Sequence, residues 1–280
     1  MFKLSIRGGQ QGLAYLMLDN GYDLMLAMQD AMDEKKFMLV LTLLSKNPDD
    51  HVIQSKNSKG QNLFHILSQN AGSCSLEHLQ RIYDALQKRG VDCKAKDNFG
   101  RTALHYAVFS ESTSLVKMLL TQTTTQGGYD PNEVDNSGHT PISLYFNGKK
   151  NTPHEFYHPV FKRENVFYLL CQAGADVNIV YPEETYKPDL KDEELDEDQL
   201  GAYDPKGQYY CSPLINLLRQ NPQGEVMRNN LIGLLEFGAK LDITDSDGRD
   251  PIMHAIIKDN VMVLRMLFEN KKTVKFNTGG

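Results

Sequence analysis

The chain has 280 residues, of which 40% are hydrophobic and 24% charged, an ordinary globular composition that excludes global disorder. Four widely separated cysteines, Cys74, Cys93, Cys171 and Cys211, show no CxxC spacing, which excludes a zinc ribbon or a disulfide-stapled secreted scaffold and fits a reducing compartment. The formal net charge of −6 is local: nine carboxylates between Glu183 and Asp198 stand against two lysines, −7 together, so the rest of the chain sums to +1.

In chain order, Met1 to Leu18 is broken by Arg7, Gly8, Gly9, Gln10 and Gln11, so it holds no apolar signal core, and no stretch reaches the roughly 18 apolar residues that span a bilayer. The expectation is an intracellular chain, cytoplasmic or nuclear, without a membrane partner. Residues 1–20 read as an N-terminal extension. Gly21 to Met32 and then Glu34 to Leu44 read as a helix pair, placed within an N-terminal cap over 21–56.

From there the chain repeats itself. Asn57-Ser58-Lys59-Gly60-Gln61-Asn62-Leu63-Phe64-His65 is followed by Asp97-Asn98-Phe99-Gly100-Arg101-Thr102-Ala103-Leu104-His105. Two further copies are Asp135-Asn136-Ser137-Gly138-His139-Thr140-Pro141-Ile142 and Asp245-Ser246-Asp247-Gly248-Arg249-Asp250-Pro251-Ile252. A degenerate copy, Ser212-Pro213-Leu214-Ile215, has Tyr210 where the glycine would be. Asp and Gly suit a tight turn, because glycine takes a positive φ at little cost. Thr or Ser before Pro suits a helix N-terminus. Each unit then continues as a longer amphipathic helix, as in Val166 to Gly174 or Leu234 to Gly238.

The turn positions 60, 100, 138, 210 and 248 are spaced by 40, 38, 72 and 38 residues. Three insertions account for the excess: Thr121 to Gly128, Asn147 to Phe161, and Tyr181 to Gln208. The predicted organisation is therefore repeats over 57–272 (57–96, 97–134, 135–180, 207–244 and 245–272), an acidic insertion over 181–206 and a tail over 273–280. Glu269-Asn270-Lys271-Lys272 reads as polar enough to end the stack. The run from Asp189 to Asp198 reads as a solvated loop, alternatively as an electrostatic lure for a basic partner.

These units resemble the ankyrin repeat, with its D-x-x-G-x-T-P-L-H-x-A signature and a period of about 33 residues. The resemblance implies an all-α ankyrin-repeat solenoid of stacked helix-turn-helix units, with β-turn or hairpin connections and long loop insertions. It also implies that His65 and His105, at the motif histidine, bond backbone between neighbouring turns. The phrase Gly60-Gln61-Asn62-Leu63-Phe64-His65-Ile66-Leu67 is similar to the ankyrin portions of large multidomain proteins, including tankyrase-like ADP-ribosyltransferases. That resemblance allows a fragment that targets a larger protein to its partners. The sequence itself carries no transferase domain, so no activity follows.

His154-Glu155-Phe156-Tyr157-His158 matches the H-E-x-x-H pattern of zinc hydrolases, which needs both histidines on one helical face. Pro153 and Pro159 bracket it and leave about one turn of helix, so an exposed aromatic loop is the simpler reading. No G-x-S-x-G, Walker loop or G-x-G-x-x-G occurs, and a balance of +1 outside the acidic run gives no basic stripe for nucleic acid. A non-enzymatic protein-binding scaffold without a cofactor or metal is expected. The resemblance implies contact through the concave face and the turn tips: Ser58, Lys59 and Gln61; Asn98, Phe99 and Arg101; Asn136, Ser137 and His139; Ser246, Asp247 and Arg249. Phe99 with Phe109 forms the expected energetic centre, Arg101 beside them.

Overall fold

The computed structural model describes residues 12, 20–46, 49–121, 129–147, 165–183, 209–221 and 224–277. The His154 to His158 motif and the acidic run from Asp189 to Asp198 lie outside the described residues. Two compact units divide the chain, Met1–Leu144 with Arg163–Gly174, and Tyr145–Lys162 with Ala175–Gly280.

The first unit opens with α1 (Leu24–Asp33) and α2 (Phe37–Lys46), which form the helix pair anticipated ahead of the first turn. Asp23 starts α1 by accepting the Leu26 N–H through its side chain at 2.9 Å, the exchange that frees a helix start from an unbonded donor. One turn of helix, α3 (Asp50–Ile53), follows, and sequence periodicity gives no sign of it. The repeat helices are then α4 (Leu63–Asn70) with α5 (Leu76–Lys88), and α6 (Ala103–Phe109) with α7 (Thr113–Thr121). Helix α8 (Pro141–Asn147) runs across the boundary between the units, and α9 (Val166–Gln172) packs against α7. The short first helices α4 and α6 lie side by side, burying Phe64, Ile66 and Leu67 on one and Leu104, Ala107 and Val108 on the other. Phe64 meets Tyr83 of α5 edge-to-face at 5.3 Å between ring centres, so the two helices of one repeat share a single apolar seam.

The second unit holds α10 (Pro213–Gln220), α11 (Glu225–Glu236), α12 (Pro251–Ile257) and α13 (Val261–Asn277). Ser212 and Asp250 begin α10 and α12 by accepting the N–H three residues on, with Pro213 and Pro251 at the first helical position. Helix α13 continues five residues beyond the boundary expected at Lys272.

Where the degenerate turn was expected, the chain forms a ladder. Strand β1 (Tyr181–Glu183) pairs antiparallel with β2 (Tyr209–Cys211) in the register Tyr181 to Cys211, Pro182 to Tyr210 and Glu183 to Tyr209. The insertion expected to begin at Tyr181 thus leaves and re-enters through a paired base. Pro182 is tolerated because a two-stranded ladder leaves one edge of each strand without a partner. Tyr181, Cys211 and Ile215 make a buried cluster above this ladder, and the Tyr181 hydroxyl accepts from Asn216 Nδ2 at 2.8 Å.

Candidate functional site

Each turn is built by one side chain. The carboxylate of Asp97 accepts the backbone N–H groups of Phe99 and Arg101, both at 2.9 Å, while the Gly100 N–H bonds the Asp97 carbonyl at 3.0 Å. Asp135 and Asp245 repeat the pattern, and Asn57 imitates it with its amide oxygen at 3.0 Å from the Lys59 and Gln61 nitrogens. An Asp or Asn in this place answers the turn's own donors, so the tip closes without help from the rest of the protein.

Successive turns in the first unit are then zipped together. Asn98 donates its backbone N–H to the Lys59 carbonyl at 3.0 Å and its side-chain amide to the Ser58 carbonyl at 3.1 Å. Asn136 does the same to Phe99 and Asn98, at 2.9 and 3.0 Å. This closeness fixes the glycines. At Gly60 and Gly100, both with φ +73°, an added Cβ would overlap the next turn's Asn98 or Asn136 side chain and lie within 3 Å of its backbone nitrogen.

Behind the tips runs a second line of bonds. His65 Nδ1 accepts the Asn62 N–H at 3.2 Å, and its Nε2 donates to the Arg101 carbonyl at 3.0 Å. His105 repeats this, with Nδ1 on the Thr102 N–H at 3.1 Å and Nε2 on the His139 carbonyl at 3.2 Å. An Nδ1 that accepts leaves the proton on Nε2, which is the neutral ring. Burial lowers both histidines, His105 to about 4, against the smaller opposing pull of the carbonyl each one faces. Gln61 Nε2 donates to the Tyr106 hydroxyl at 3.0 Å, and that hydroxyl donates to Asp97 at 2.6 Å. Arg101 Nε donates to Asp135 at 2.9 Å. Burial alone would raise Asp135, but the His139 N–H and Arg101 hold its carboxyl below the usual range.

These bonds sort the expected contact residues. Gln61 and His139 are buried, 3% and 1% exposed, Gln61 bonded to Tyr106 and His139 bonded through its carbonyl to His105. Their placement among the outward tips is therefore corrected. Asn98 and Asn136 are exposed but spend their amides on the zipper. Arg101 is half-buried against Asp135. Lys59, Ser58 and Ser137 point outward, and Phe99 and Phe109 are the large apolar side chains left open, at 53% and 56%. Phe99 precedes α6 and Phe109 ends it. A helix of that length is about 10 Å long, so the two rings mark opposite ends of the short helix and not one cluster.

The second unit secures its tip differently. Ile215 and Met253 stand where His65 and His105 stand, and neither can bond backbone. In place of that tie, Asp245 receives Arg219 at 2.5 Å and His254 Nε2 at 2.6 Å, with the carboxylate fully buried. Burial would raise this carboxyl, yet His254, the Arg249 N–H and Arg219 bring it down to about 2. Ser246 and Asp247 are exposed and Arg249 half-buried; Arg249 pairs loosely with Asp247 at 3.5 Å, and Ser246 Oγ accepts the Tyr210 N–H at 2.7 Å. The buried Arg219–Asp245–His254 cluster was missed at the level of sequence. Its one visible sign is His254, a place later than the motif histidine and level with Tyr106.

Among the described residues no helix is long and apolar enough to cross a membrane. A family model described as ankyrin repeats matches residues 24–135 and 64–181. No curated protein matches the sequence significantly. Among solved structures, an ankyrin repeat domain from Acinetobacter baumannii AYE is 17% identical, with a TM-score of 0.58 over 87% of this chain and 97% of that one. The ankyrin repeat domain of Bcl-3, described as a unique member of the IkappaB protein family, is 19% identical, with a TM-score of 0.54 over 94% and 97%. Likeness at such identity establishes the fold.

Proposed function

The chain belongs to the ankyrin-repeat family, whose repeats are protein-interaction modules, and from that premise we propose that its first unit binds a protein through the turn tips and first helices. The observation that carries this reading is the exposure of Phe99 and Phe109 on a framework whose turns are already closed and joined by Asp97, Asn98, Asp135 and Asn136. Aromatic anchors dominate binding energy when the backbone beneath them is already ordered, since little entropy is then lost on association. Lys59 and Ser137 flank them as polar rim, and Arg101 adds a guanidinium that is partly open. Ser246, Asp247 and Arg249 offer a smaller, polar tip in the second unit. The reading assigns no reaction and no cofactor to the chain.

The test is capture of partners by the whole chain beside its Phe99→Ala plus Phe109→Ala variant. Neither ring takes part in the zipper, so the variant keeps its fold. Retention of a partner should fall by roughly tenfold or more. Unchanged retention of every partner would remove the two rings from the interface. Arg101→Ala is a poor substitute, because it also cuts the bond to Asp135.

A further inference from the structure

The sign of the charge at the first unit's surface follows from how its turns close. The three tips, residues 56–61, 96–101 and 134–139, hold two carboxylates and four cations. Both carboxylates face inward: Asp97 and Asp135 are 7% and 5% exposed and take up the N–H groups of their own turns. The cations face outward, with Lys56, Lys59 and Lys96 exposed and Arg101 half-buried. Two of the four are compensated. Arg101 pairs with Asp135, and Lys96 pairs with Glu133, one residue before the third tip. Lys56 donates to the Lys96 carbonyl at 3.3 Å, and neither Lys56 nor Lys59 meets a carboxylate among the described residues. Lys59 and Phe99 hold the same place in successive turns, joined by the Asn98 N–H on the Lys59 carbonyl at 3.0 Å. An open aromatic ring thus stands one turn along from an open cation. In the second unit the same place is taken by Asp247, so that tip has the opposite sign there.

Taking the Phe99 and Phe109 surface as the one that binds, we infer that the partner segment crossing these tips is an acidic peptide. One of its apolar residues packs on Phe99, and its carboxylates, on the side toward the first turn, meet Lys59 and Lys56. Opposite charge at a rim speeds encounter and rejects partners of the wrong sign. The tips' own carboxylates are turned inward, and Glu133 is already spent on Lys96, so little like charge stands in the way. Four cations, two of them paired, suit a short acidic segment; a nucleic-acid strand needs a longer run of basic groups.

Selection of a random peptide display library on the immobilised whole chain reads the chemistry directly. Peptides retained by the wild type and lost on Phe99→Ala plus Phe109→Ala should be enriched in Asp and Glu next to an apolar residue. One such peptide, labelled, should associate with Lys59→Glu roughly tenfold more slowly than with the wild type at low salt. The gap should close at about 1 M salt, where charges act over only about 3 Å. Lysine in place of the peptide's acidic residues should reverse the preference, favouring Lys59→Glu. The Lys59 side chain is exposed and its bonds are made by backbone, so circular dichroism should report an unchanged fold. Phe99-dependent peptides that are neutral or basic overturn the inference and leave the binding surface standing. So does equal association with the wild type and Lys59→Glu, or a single-stranded oligothymidylate that binds more tightly than the selected peptide. A library that yields no Phe99-dependent peptide removes the binding surface itself, and the inference with it.

Discussion

In the first unit the turn at Asp97 is tied to its neighbours mostly by neutral groups, the amides of Asn98 and Asn136 and the imidazoles of His65 and His105, beside one half-buried ion pair from Arg101 to Asp135. In the second, the turn at Asp245 is tied mostly through a fully buried carboxylate that Arg219 and His254 share, beside the Ser246 N–H on the Tyr210 carbonyl. Both turns have the same internal bonds from the same aspartate. The difference lies in what approaches from the adjoining repeat. Where two regular turns stack, backbone comes close enough to bond backbone, and glycine is required on the facing side. Where the preceding turn is replaced by the β1–β2 ladder, that approach is made mainly by long side chains, and a buried carboxylate gathers them. A neutral tie and a charged tie can hold equal geometry, but they fail under different conditions.

The charged tie has the most to lose from one substitution. Asp245→Ala removes the carboxylate that Arg219 and His254 share, and should cost about 3–5 kcal/mol. Hydrogen exchange would show the loss in α10 and α12, with α4 and α6 protected as before. Equal loss of protection in both units would break the comparison.

Glycine replacement sharpens it from the other side. Gly100→Ala meets both the positive φ and the overlap with Asn136, and should destabilise by about 3 kcal/mol. Gly248→Ala has the same φ of +73° but open space around the added carbon, so only the conformational cost of about 1–2 kcal/mol remains. Thermal unfolding of the two variants checks the order, and a Gly248→Ala variant as damaged as Gly100→Ala would contradict it.

Acid should separate the units. His105 lies at about 4 against an ordinary 6.5, so the unfolded chain takes up a proton that the folded one refuses. Its contribution is complete above pH 6.5 and is lost as pH falls from there toward 4, about 3 kcal/mol, with His65 acting in the same direction. Asp245 lies at about 2 against an ordinary 3.8, so its contribution is complete above pH 3.8 and fades only as pH falls toward 2. Exchange at pH 5 should therefore open α4 and α6 before α10 and α12, and His105→Gln should flatten that dependence. The smallest effect on stability belongs to Phe99→Ala plus Phe109→Ala, about 1 kcal/mol or less, since each ring is more than half exposed.

The sequence revealed most of what is local. The Asp-x-x-Gly turns at 97, 135 and 245 were legible because one side chain closes its own turn two and four residues on. The helix pairs followed from proline at their starts and apolar spacing along them. What escaped depends on partners far along the chain. The β1–β2 ladder joins residues on either side of a long insertion, and no periodicity within Tyr209 to Cys211 announces it. Gln61 and His139 occupy tip positions, yet both are buried, Gln61 against Tyr106 of the next repeat and His139 with its carbonyl on the His105 ring of the preceding one. Of the candidate contact surface, Phe99 and Phe109 were readable as large apolar residues at tip and helix end. Their separation along α6 was not.

Photo-crosslinking most directly tests whether the neutrally tied unit is the one that presents the binding surface. A benzoylphenylalanine placed at position 99, at 109 or at 247 in the whole chain samples the tip and helix end of the first unit and the tip of the second. Crosslinked partner from positions 99 and 109, with none from 247, is the predicted result; partner captured from 247 alone would contradict the account.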